Sequence, residues 1–183
     1  MKRTIVVTVL CVAMMLMGAH ARAQALQSRC AQIGQKWVDF WNSNVQDATA
    51  MFSDVFTDDI VYFDIPTSPT QPLAQGRDRL LAIVPFFAGF PNSRFELGRS
   101  ACQGQQGFFE WTWSAEDGGG DKQGFCGTGK PFTLRGVAVI EIQGNRISRD
   151  ADYSDSATIP KQLLMEDPNS RSCVAGLLGL SEE

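Results

Sequence analysis

Along the first half of the chain, apolar and polar residues follow the period of an α-helix. Ile33, Trp37, Phe40 and Trp41 occupy positions i, i+4, i+7 and i+8. This spacing predicts a helix over residues 26–43 with one buried face.

Two more helices and one strand are expected before residue 90. Asp47 is placed to cap a short helix, and Gly76 opens another one after a proline-rich loop. Between them Ile60–Asp64 has the β-branched and aromatic composition of a strand, which Pro66 ends. The apolar residues that these two helices would bury are Met51, Phe52, Val55, Leu80, Leu81, Val84 and Phe87.

The second half of the chain changes to the period of two that is typical of β-strands. A closing helix is expected over Ala157–Met165. Helices followed by a meander of antiparallel strands predict an α+β fold in one domain, residues 24–166, with a C-terminal tail at 167–183. The expected strands, with glycine-containing turns between them, are 93–102, 107–116, 132–142 and 145–154.

The first 23 residues have the composition of a secretory signal peptide. Lys2 and Arg3 precede an apolar run from Ile5 to Met17, and alanines at small-x-small spacing end with Ala23. The run is short for the alternative, a retained membrane anchor, and no later stretch is long enough to span a bilayer. We therefore expect cleavage after residue 23, a secreted or periplasmic protein, and no membrane insertion once the leader is removed.

Four cysteines remain after the leader: Cys30, Cys102, Cys126 and Cys173. An even number in an exported chain favours two disulfides, and the sequence leaves all three pairings open. A zinc site is the alternative. It lacks Cys-x-x-Cys spacing, and the single histidine, His20, lies in the leader. We expect no bound metal.

The charge of the chain and one glycine-rich segment bear on other classes of ligand. The formal net charge is −4 at pH 7, and it becomes more negative without the basic leader, which argues against binding to nucleic acid. Residues 124–131 nearly match a phosphate-binding loop. However, Pro131 stands where that loop needs Ser or Thr, and a strand pattern follows. We expect no nucleotide and no other cofactor.

Without a histidine, acid–base chemistry near neutral pH must come from groups such as carboxylates and tyrosine. Asp150, Asp152 and Ser154 share one face of the last strand, because side chains alternate along a strand. Tyr62 and Asp64 share a face of the first strand in the same way. Exposed surface acids are the simpler interpretation. Two carboxylates at i and i+2 on a concave face would instead repel each other and raise the pKa of one of them.

Two tryptophans, Trp111 and Trp113, alternate with polar residues on the predicted strand 107–116. They are compatible with ordinary core packing and also with the aromatic wall of a ligand pocket. The predicted helices add Trp37 and Phe87 as candidates for the same wall.

Several short motifs occur in a fixed order along the chain. They are Tyr62–Pro66, Gly76–Asp78, Gly127–Pro131, Leu134–Val137, Asn145–Ile147 and Asp152–Asp155. This order resembles the SnoaL-like polyketide cyclases, a family within the nuclear transport factor 2-like superfamily, over residues 30–165. The resemblance implies a cone, in which a strongly curved antiparallel sheet wraps around helices and encloses an apolar cavity. It also implies that Asp152 points into that cavity, together with Asp150 and Ser154.

One branch of the superfamily, the limonene-epoxide hydrolases, resembles the chain at two places. Their Tyr-x-Asn-x-Pro motif matches Tyr62, Asp64 and Pro66, with Asp in place of Asn. Their inward-pointing Asp matches Asp152. They also need an Arg-x-Asp pair on a middle strand, where this chain has Glu110–Trp113. The resemblance therefore leaves the machinery for opening epoxides incomplete.

Two functions from different classes follow as expectations. The first is proton-transfer catalysis (cyclisation, isomerisation, dehydration or hydration) on a small apolar molecule. Asp152 would act as general base, with Asp150 or Asp64 as its partner and Tyr62 as donor to a developing oxyanion. The second is a ligand-binding or interaction module of the same fold. The sequence names neither the ligand nor the oligomeric state, for which a homodimer is one option.

Overall fold

The computed structural model describes residue 24, residues 27–118 and residues 127–166, with side chains to Leu163. The predicted signal peptide, Cys126, Cys173, most of the glycine-rich loop and the predicted C-terminal tail lie outside these residues. Among the helices that the structure describes, none combines the length and apolar character needed to cross a membrane.

Two N-terminal helices supply one side of the core. Helix α1 covers residues 27–41, and its four predicted apolar positions are all buried. Helix α2, Val45–Val55, packs the ring of Phe52 against Phe40 of α1, with ring centroids 6.2 Å apart. The prediction of two amphipathic helices at the start of the domain is therefore confirmed.

The cap of α2 differs from the prediction. Asn44, not Asp47, is the N-cap residue, and its side-chain oxygen accepts a hydrogen bond from the backbone N–H of Asp47 at 3.0 Å. Asp47 lies in the first turn, where its carboxylate accepts from the Asn44 amide at 2.8 Å. Both residue types suit a helix start, and only the backbone geometry shows that the helix begins one turn earlier.

Six strands form one unclosed sheet in the order β2-β1-β6-β5-β4-β3. Strands β3 to β6 form the predicted antiparallel meander, and β1 pairs with the last strand, β6, in parallel. The α+β fold with a curved sheet against N-terminal helices is thus as predicted, with this parallel pair as an addition. The strands are β1 Phe56–Asp64, β2 Ala74–Gln75, β3 Arg94–Gln103, β4 Gln106–Glu116, β5 Pro131–Gln143 and β6 Arg146–Ser154.

The predicted helix after Gly76 is two short helices. Helix α3 covers Arg77–Leu81 and helix α4 covers Val84–Ala88. Pro85 lies in the first turn of α4, where its missing N–H is tolerated, whereas inside one long helix it would remove a backbone bond. Gly76 has φ of +82°, a conformation that glycine adopts without strain and that starts α3 at the predicted place.

The sheet bends at register shifts, and helix α5 closes one end. Strand β3 shifts register between Leu97 and Ser100, and β5 shifts between Glu141 and Ile142. Such bulges increase local twist and bend the strand. Helix α5, Thr158–Glu166, is fixed to β5 by two hydrogen bonds between the Gln162 side chain and the Thr133 backbone, at 2.6 and 2.9 Å.

One disulfide, Cys30–Cys102, ties α1 to β3. The sequence left all three pairings open. The two cysteines that the structure describes are bonded to each other. The bridge closes a segment of 72 residues that includes β1 and the two short helices. Closing so long a segment restricts the unfolded chain and so favours the folded state.

In the described part of the segment that resembles a phosphate-binding loop, residues 127–131, the donors bond to the protein itself. The backbone N–H groups of Gly127 and Thr128 donate to the buried Asp117 carboxylate at 3.1 and 3.0 Å. The Thr128 hydroxyl donates to the same carboxylate at 2.9 Å. The segment leads directly into strand β5 at Pro131. This is the arrangement expected of a loop that enters a strand.

Candidate active site

The parallel pairing of the first and last strands brings the candidate acids together. Tyr62 is the register partner of Asp150, and Asp64 is the register partner of Asp152. The bulge in β5–β6 leaves Ser148 without a Cα partner on β5. Beyond it, Asp150 and Asp152 face the core, and both are buried. Four residues from two distant parts of the sequence therefore form one polar group inside an apolar interior.

A cavity of about 390 Å³ opens between the inner face of the sheet and the ends of helices α4 and α5. Of the predicted site residues, it is lined by Tyr62, Asp64, Asp152, Trp111, Trp113 and Phe87. Ser154 and Thr67 add hydroxyl groups near these acids. The sequence-derived set thus converges on one cavity, with two exceptions.

The exceptions are Asp150 and Trp37, which lie behind the cavity wall. Trp37 is fully buried and donates its indole N–H to Asp150 Oδ2 at 2.6 Å. Asp150 is also fully buried, and its Oδ1 has no hydrogen-bond partner among the described residues. Trp37, which was predicted to bind ligand, does not line this cavity: its ring packs among Trp111, Phe95 and Phe109, and its indole N–H is bonded to Asp150.

Of the two aspartates on β6, Asp152 is the one that reaches the cavity, and two donors hold it. Trp111 Nε1 donates to Asp152 Oδ1 at 2.9 Å, and the Tyr62 hydroxyl contacts Oδ2 at 3.0 Å. An indole N–H only donates, so Oδ1 accepts, whereas Oδ2 faces a hydroxyl that can also accept and is therefore the oxygen that can donate a proton to a partner. The protonation state of Asp152 therefore sets the direction of the Tyr62 bond. The tyrosine donates to the carboxylate, and it accepts from the carboxylic acid.

Burial shifts the proton affinities of this group strongly. Loss of solvent raises the pKa of Asp152 well above its usual range, and the nearby Asp150 raises it further. Burial also raises the pKa of Asp150, to about 7, against a partial lowering by the Trp37 hydrogen bond. The pKa of Tyr62 is raised by burial and then by the charge of Asp152. The pair of aspartates thus holds a proton near neutral pH.

Asp64 occupies the half-buried side of the cavity. Burial raises the pKa of its carboxyl, and a hydrogen bond from the Thr67 hydroxyl, 2.6 Å from Asp64 Oδ2, acts in the opposite direction. Asp64 has more solvent around it than Asp152, which is only 7% exposed. Two carboxyl groups of one cavity therefore lie in different environments.

The position of Trp111 depends on a glycine on the neighbouring strand. Gly136 is the register partner of Trp111, and a Cβ atom at residue 136 would lie 2.6 Å from Cε2 of the indole and closer to Cζ2. The indole can therefore lie across β5 toward Asp152 only because residue 136 has no side chain.

We expect Gly136→Ala to displace the indole and to lower the free energy of unfolding by about 1–3 kcal/mol, as overpacking does. Thermal or denaturant unfolding measures this loss. In a Trp111→Phe background, which lacks the colliding ring atoms, the same substitution should cost less. An equal cost in both backgrounds would contradict the proposed collision.

Several lining residues were not among the sequence predictions for the site. Phe95 on β3, Leu134 on β5 and Ile159 on α5 line the cavity, as does Trp41 of α1. Trp41 was predicted as a buried helix position and not as a site residue. The inward parity of β3 and β5 is visible in the sequence, but the closing of the cavity by α5 is not.

The described residues contain no group of three His, Cys, Asp or Glu side chains placed to hold a metal ion. Asp64, Asp150 and Asp152 accordingly have protein partners that are hydroxyl and indole donors. What the arrangement offers is a carboxyl of high proton affinity, a tyrosine hydroxyl beside it and an aromatic enclosure. These are the components of acid–base chemistry on an organic ligand.

The sequence profile of the SnoaL-like domain matches residues 35–150, which include Tyr62, Asp64 and Asp150 and end two residues before Asp152. No curated protein sequence matches the chain. Solved structures share its fold at low sequence identity. A candidate polyketide cyclase from Acidithiobacillus ferrooxidans is 18% identical, with a TM-score of 0.63, over 76% of this chain and 96% of that one.

Two further solved structures resemble the chain to a similar degree. IdmH, a candidate polyketide cyclase from Streptomyces antibioticus, is 17% identical, with a TM-score of 0.60, over 73% of this chain and 96% of that one. A protein from Catenulispora acidiphila with a ketosteroid isomerase-like fold, in complex with trimethylamine, is 16% identical, with a TM-score of 0.57, over 71% and 90% of the two chains.

Proposed function

The chain belongs to the SnoaL-like domain family, and from that premise we propose that it catalyses proton transfer at a carbon atom next to a carbonyl group. The observation that carries the proposal is Asp152. Its carboxyl lines an aromatic cavity and is almost fully buried. The carboxyl is held by the Trp111 indole, which only donates, and by the Tyr62 hydroxyl, which can donate or accept. A carboxylate in such a place is a stronger base than one in water, because burial disfavours its charge.

The proposed step uses Asp152 and Tyr62 together. Asp152 in its ionised form takes a proton from the carbon onto Oδ2, and the electron pair of the C–H bond moves toward the carbonyl oxygen. Once Oδ2 carries the proton, it donates to Tyr62, whose own hydroxyl hydrogen becomes available to the developing oxyanion. Return of the proton to another carbon atom completes an isomerisation. Attack of the carbanion on a second carbonyl, whose oxygen then takes the proton from Oδ2, completes a cyclisation.

The other two acids have supporting roles in this proposal. Asp150 touches no cavity surface, and its charge keeps the proton affinity of Asp152 high. Asp64 lies on the cavity wall across the β1–β6 pair, where it faces the bound molecule. No step requires a metal or an organic cofactor.

Exchange of carbon-bound hydrogen tests the proposal without knowledge of the natural substrate. The bicyclic ketone 2-tetralone is small enough for the cavity and has acidic hydrogens next to its carbonyl group. Incubation in D₂O, followed by proton NMR, measures how fast these hydrogens are replaced. We expect the protein to accelerate exchange above the rate in buffer. Binding of 2-tetralone without any acceleration would favour the non-catalytic binding module.

The pH dependence of exchange should depend on Asp150. Because Asp152 must be ionised to act as base, the rate should rise with pH, through a pKa well above that of an ordinary carboxyl. Asp150→Asn removes the neighbouring charge and should move this rise to lower pH, with the plateau rate retained. An unchanged profile in the variant would contradict the role given to Asp150.

We also propose that the protein is exported, as the leader-like N-terminus and the Cys30–Cys102 bridge suggest. Thiol titration of the native protein should find these two cysteines unreactive until a reductant is added. Reduction should lower the free energy of unfolding by about 2–4 kcal/mol. Rapid labelling of Cys30 or Cys102 in native protein from the exported fraction would contradict the bridge.

A further inference from the structure

We propose that the molecule bound in this cavity carries a positively charged organic nitrogen, a substituted ammonium group, among the aromatic rings and close to Asp64. This deepens the proposed function, since it names the class of substrate for the same cavity. This inference rests on the proposed function only in that both concern the same cavity. The charge and the aromatic rings of the cavity wall support it independently.

The charges of the wall all have one sign. Asp64 and Asp152 line the cavity, and Asp150 lies directly behind it. None of the lining residues, all of which the structure describes, is Lys, Arg or His. The nearest basic residue in sequence, Arg149, is on the opposite face of the sheet, where its guanidinium lies over the Phe63 ring at 4.8 Å. The cavity wall therefore has carboxyl groups and no basic side chain, while Arg149 acts from the other face only on Asp150, whose pKa it lowers.

Burial of a carboxylate without a group of opposite charge beside it costs free energy, and either a proton or a cation can offset this cost. Empty, the cavity holds a proton on its aspartates, in line with the raised pKa of Asp152. A ligand cation would take over that role and leave the carboxylates ionised. A neutral ligand would leave the cost of ionisation unrelieved, and an anionic one would add to it.

The rest of the wall is aromatic, which suits a substituted ammonium group. Phe87 is at the centre of a ring cluster, with its centroid 5.2 Å from Trp113, 5.3 Å from Trp41 and 5.2 Å from Phe95. Aromatic rings attract cations to their faces, and tryptophan does so most strongly. An alkylated ammonium group has an apolar surface that buries well among such rings and a charge that the carboxylates can balance.

The affinity for such a cation should rise with pH. The groups that face Asp152 are Tyr62 and Asp64 from β1, Asp150 from its own strand, and the indole of Trp111 from β4. None of them is cationic, so deprotonation makes the site more negative throughout. Cation binding should therefore release protons from the aspartates.

Choline and 3,3-dimethylbutan-1-ol test the proposal, because they have the same shape and differ in the charge of one atom. The full chain is titrated with each at about pH 8, where more of the carboxyl groups are ionised, and tryptophan fluorescence is followed. We expect choline to bind at least about tenfold more tightly than the alcohol, and the preference to shrink as the pH is lowered. Equal or tighter binding of the alcohol, or no binding of choline, would overturn the proposal.

The Asp64→Asn variant distinguishes specific binding of choline in the cavity from a general attraction of cations to an acidic protein. We expect this variant to lose most of the preference for choline. Asp59→Asn, which removes an exposed acid from the same strand, should keep it. Equal loss in both variants would overturn the site assignment. Since choline has no carbonyl group and is not turned over by the proposed step, the result does not depend on catalysis, and the two proposals fail separately.

Discussion

Asp152→Asn is expected to lower the rate of 2-tetralone exchange by about 10²–10⁴-fold, the usual contribution of a positioned acid or base. Asparagine keeps the size of the side chain and can still accept from Trp111, but it has no carboxylate to receive the proton. Because a buried charge with a high proton affinity is removed, the fold should be retained. Deuterium incorporation measured by NMR gives the rate, and circular dichroism verifies the fold.

A matched substitution makes this loss interpretable. Asp59→Asn changes the net charge equally and lies on β1 in an exposed position, so exchange by this variant should match the wild type. Tyr62→Phe should lower the rate less than Asp152→Asn, since the base remains and only the oxyanion donor is removed. An Asp152→Asn protein that folds and exchanges at the wild-type rate would exclude Asp152 as the base.

The stability of the protein should fall as the pH rises from about 4 to 8, which is opposite to the usual acid denaturation of carboxylate-rich proteins. The pKa of Asp150 is about 7 in the folded protein, whereas the ordinary value of an aspartate, 3.8, applies to the unfolded chain. The folded state therefore binds more protons. The stabilisation is fully present below pH 3.8 and is lost as the pH rises through the folded value. For Asp150 alone we expect a loss of about 4 kcal/mol, and Asp152 adds to it in the same direction.

Asp150→Asn isolates this contribution from the other carboxyl groups. Denaturant unfolding at several pH values should show a clearly smaller decline in the variant than in the wild type, whatever the absolute stability of each. Asp59→Asn should have the wild-type slope, because that group is exposed. Identical slopes for the wild type and Asp150→Asn would mean that Asp150 is not a buried acid.

The elements that the sequence predicted well are those whose pattern reflects a single physical cause. The meander β3 to β6 follows from a period of two and glycine-containing turns, and its observed ends differ from the predicted ones by a residue at most. Helix α1 follows from one apolar face. The less accurate elements involve competing local signals. Pro85 divides a continuous apolar helix pattern in two, and Asn44 lies three residues before the equally suitable cap Asp47.

The sequence predicted which residues form the site, but not which of them line the cavity and which lie behind its wall. Parity placed Asp150 and Asp152 on one face, and the family resemblance placed that face inward. Which of the two reaches the cavity depends on how deeply Trp37 of α1 fills the space beneath β6, and helical spacing says only that Trp37 is buried. The pairing of β1 with β6 is also absent from any local pattern, since it joins strands at opposite ends of the domain.

The hydrogen-bonding role of the tryptophans could not be predicted for the same reason. Trp111 was expected to provide an aromatic surface, and the structure shows that its indole N–H also holds Asp152. That bond requires Gly136 on the next strand, and a glycine within a strand indicates close approach without indicating of what.

The proton affinity of Asp152 tests the central claim most directly. Carbon-13 NMR of protein labelled at the aspartate carboxyl carbons follows each group as the pH changes, and the signal missing from Asp152→Asn identifies this residue. We expect Asp152 to change protonation well above the usual carboxyl range, and at lower pH in Asp150→Asn than in the wild type. A signal that titrates near 3.8, the ordinary value, in the folded wild-type protein would contradict the account.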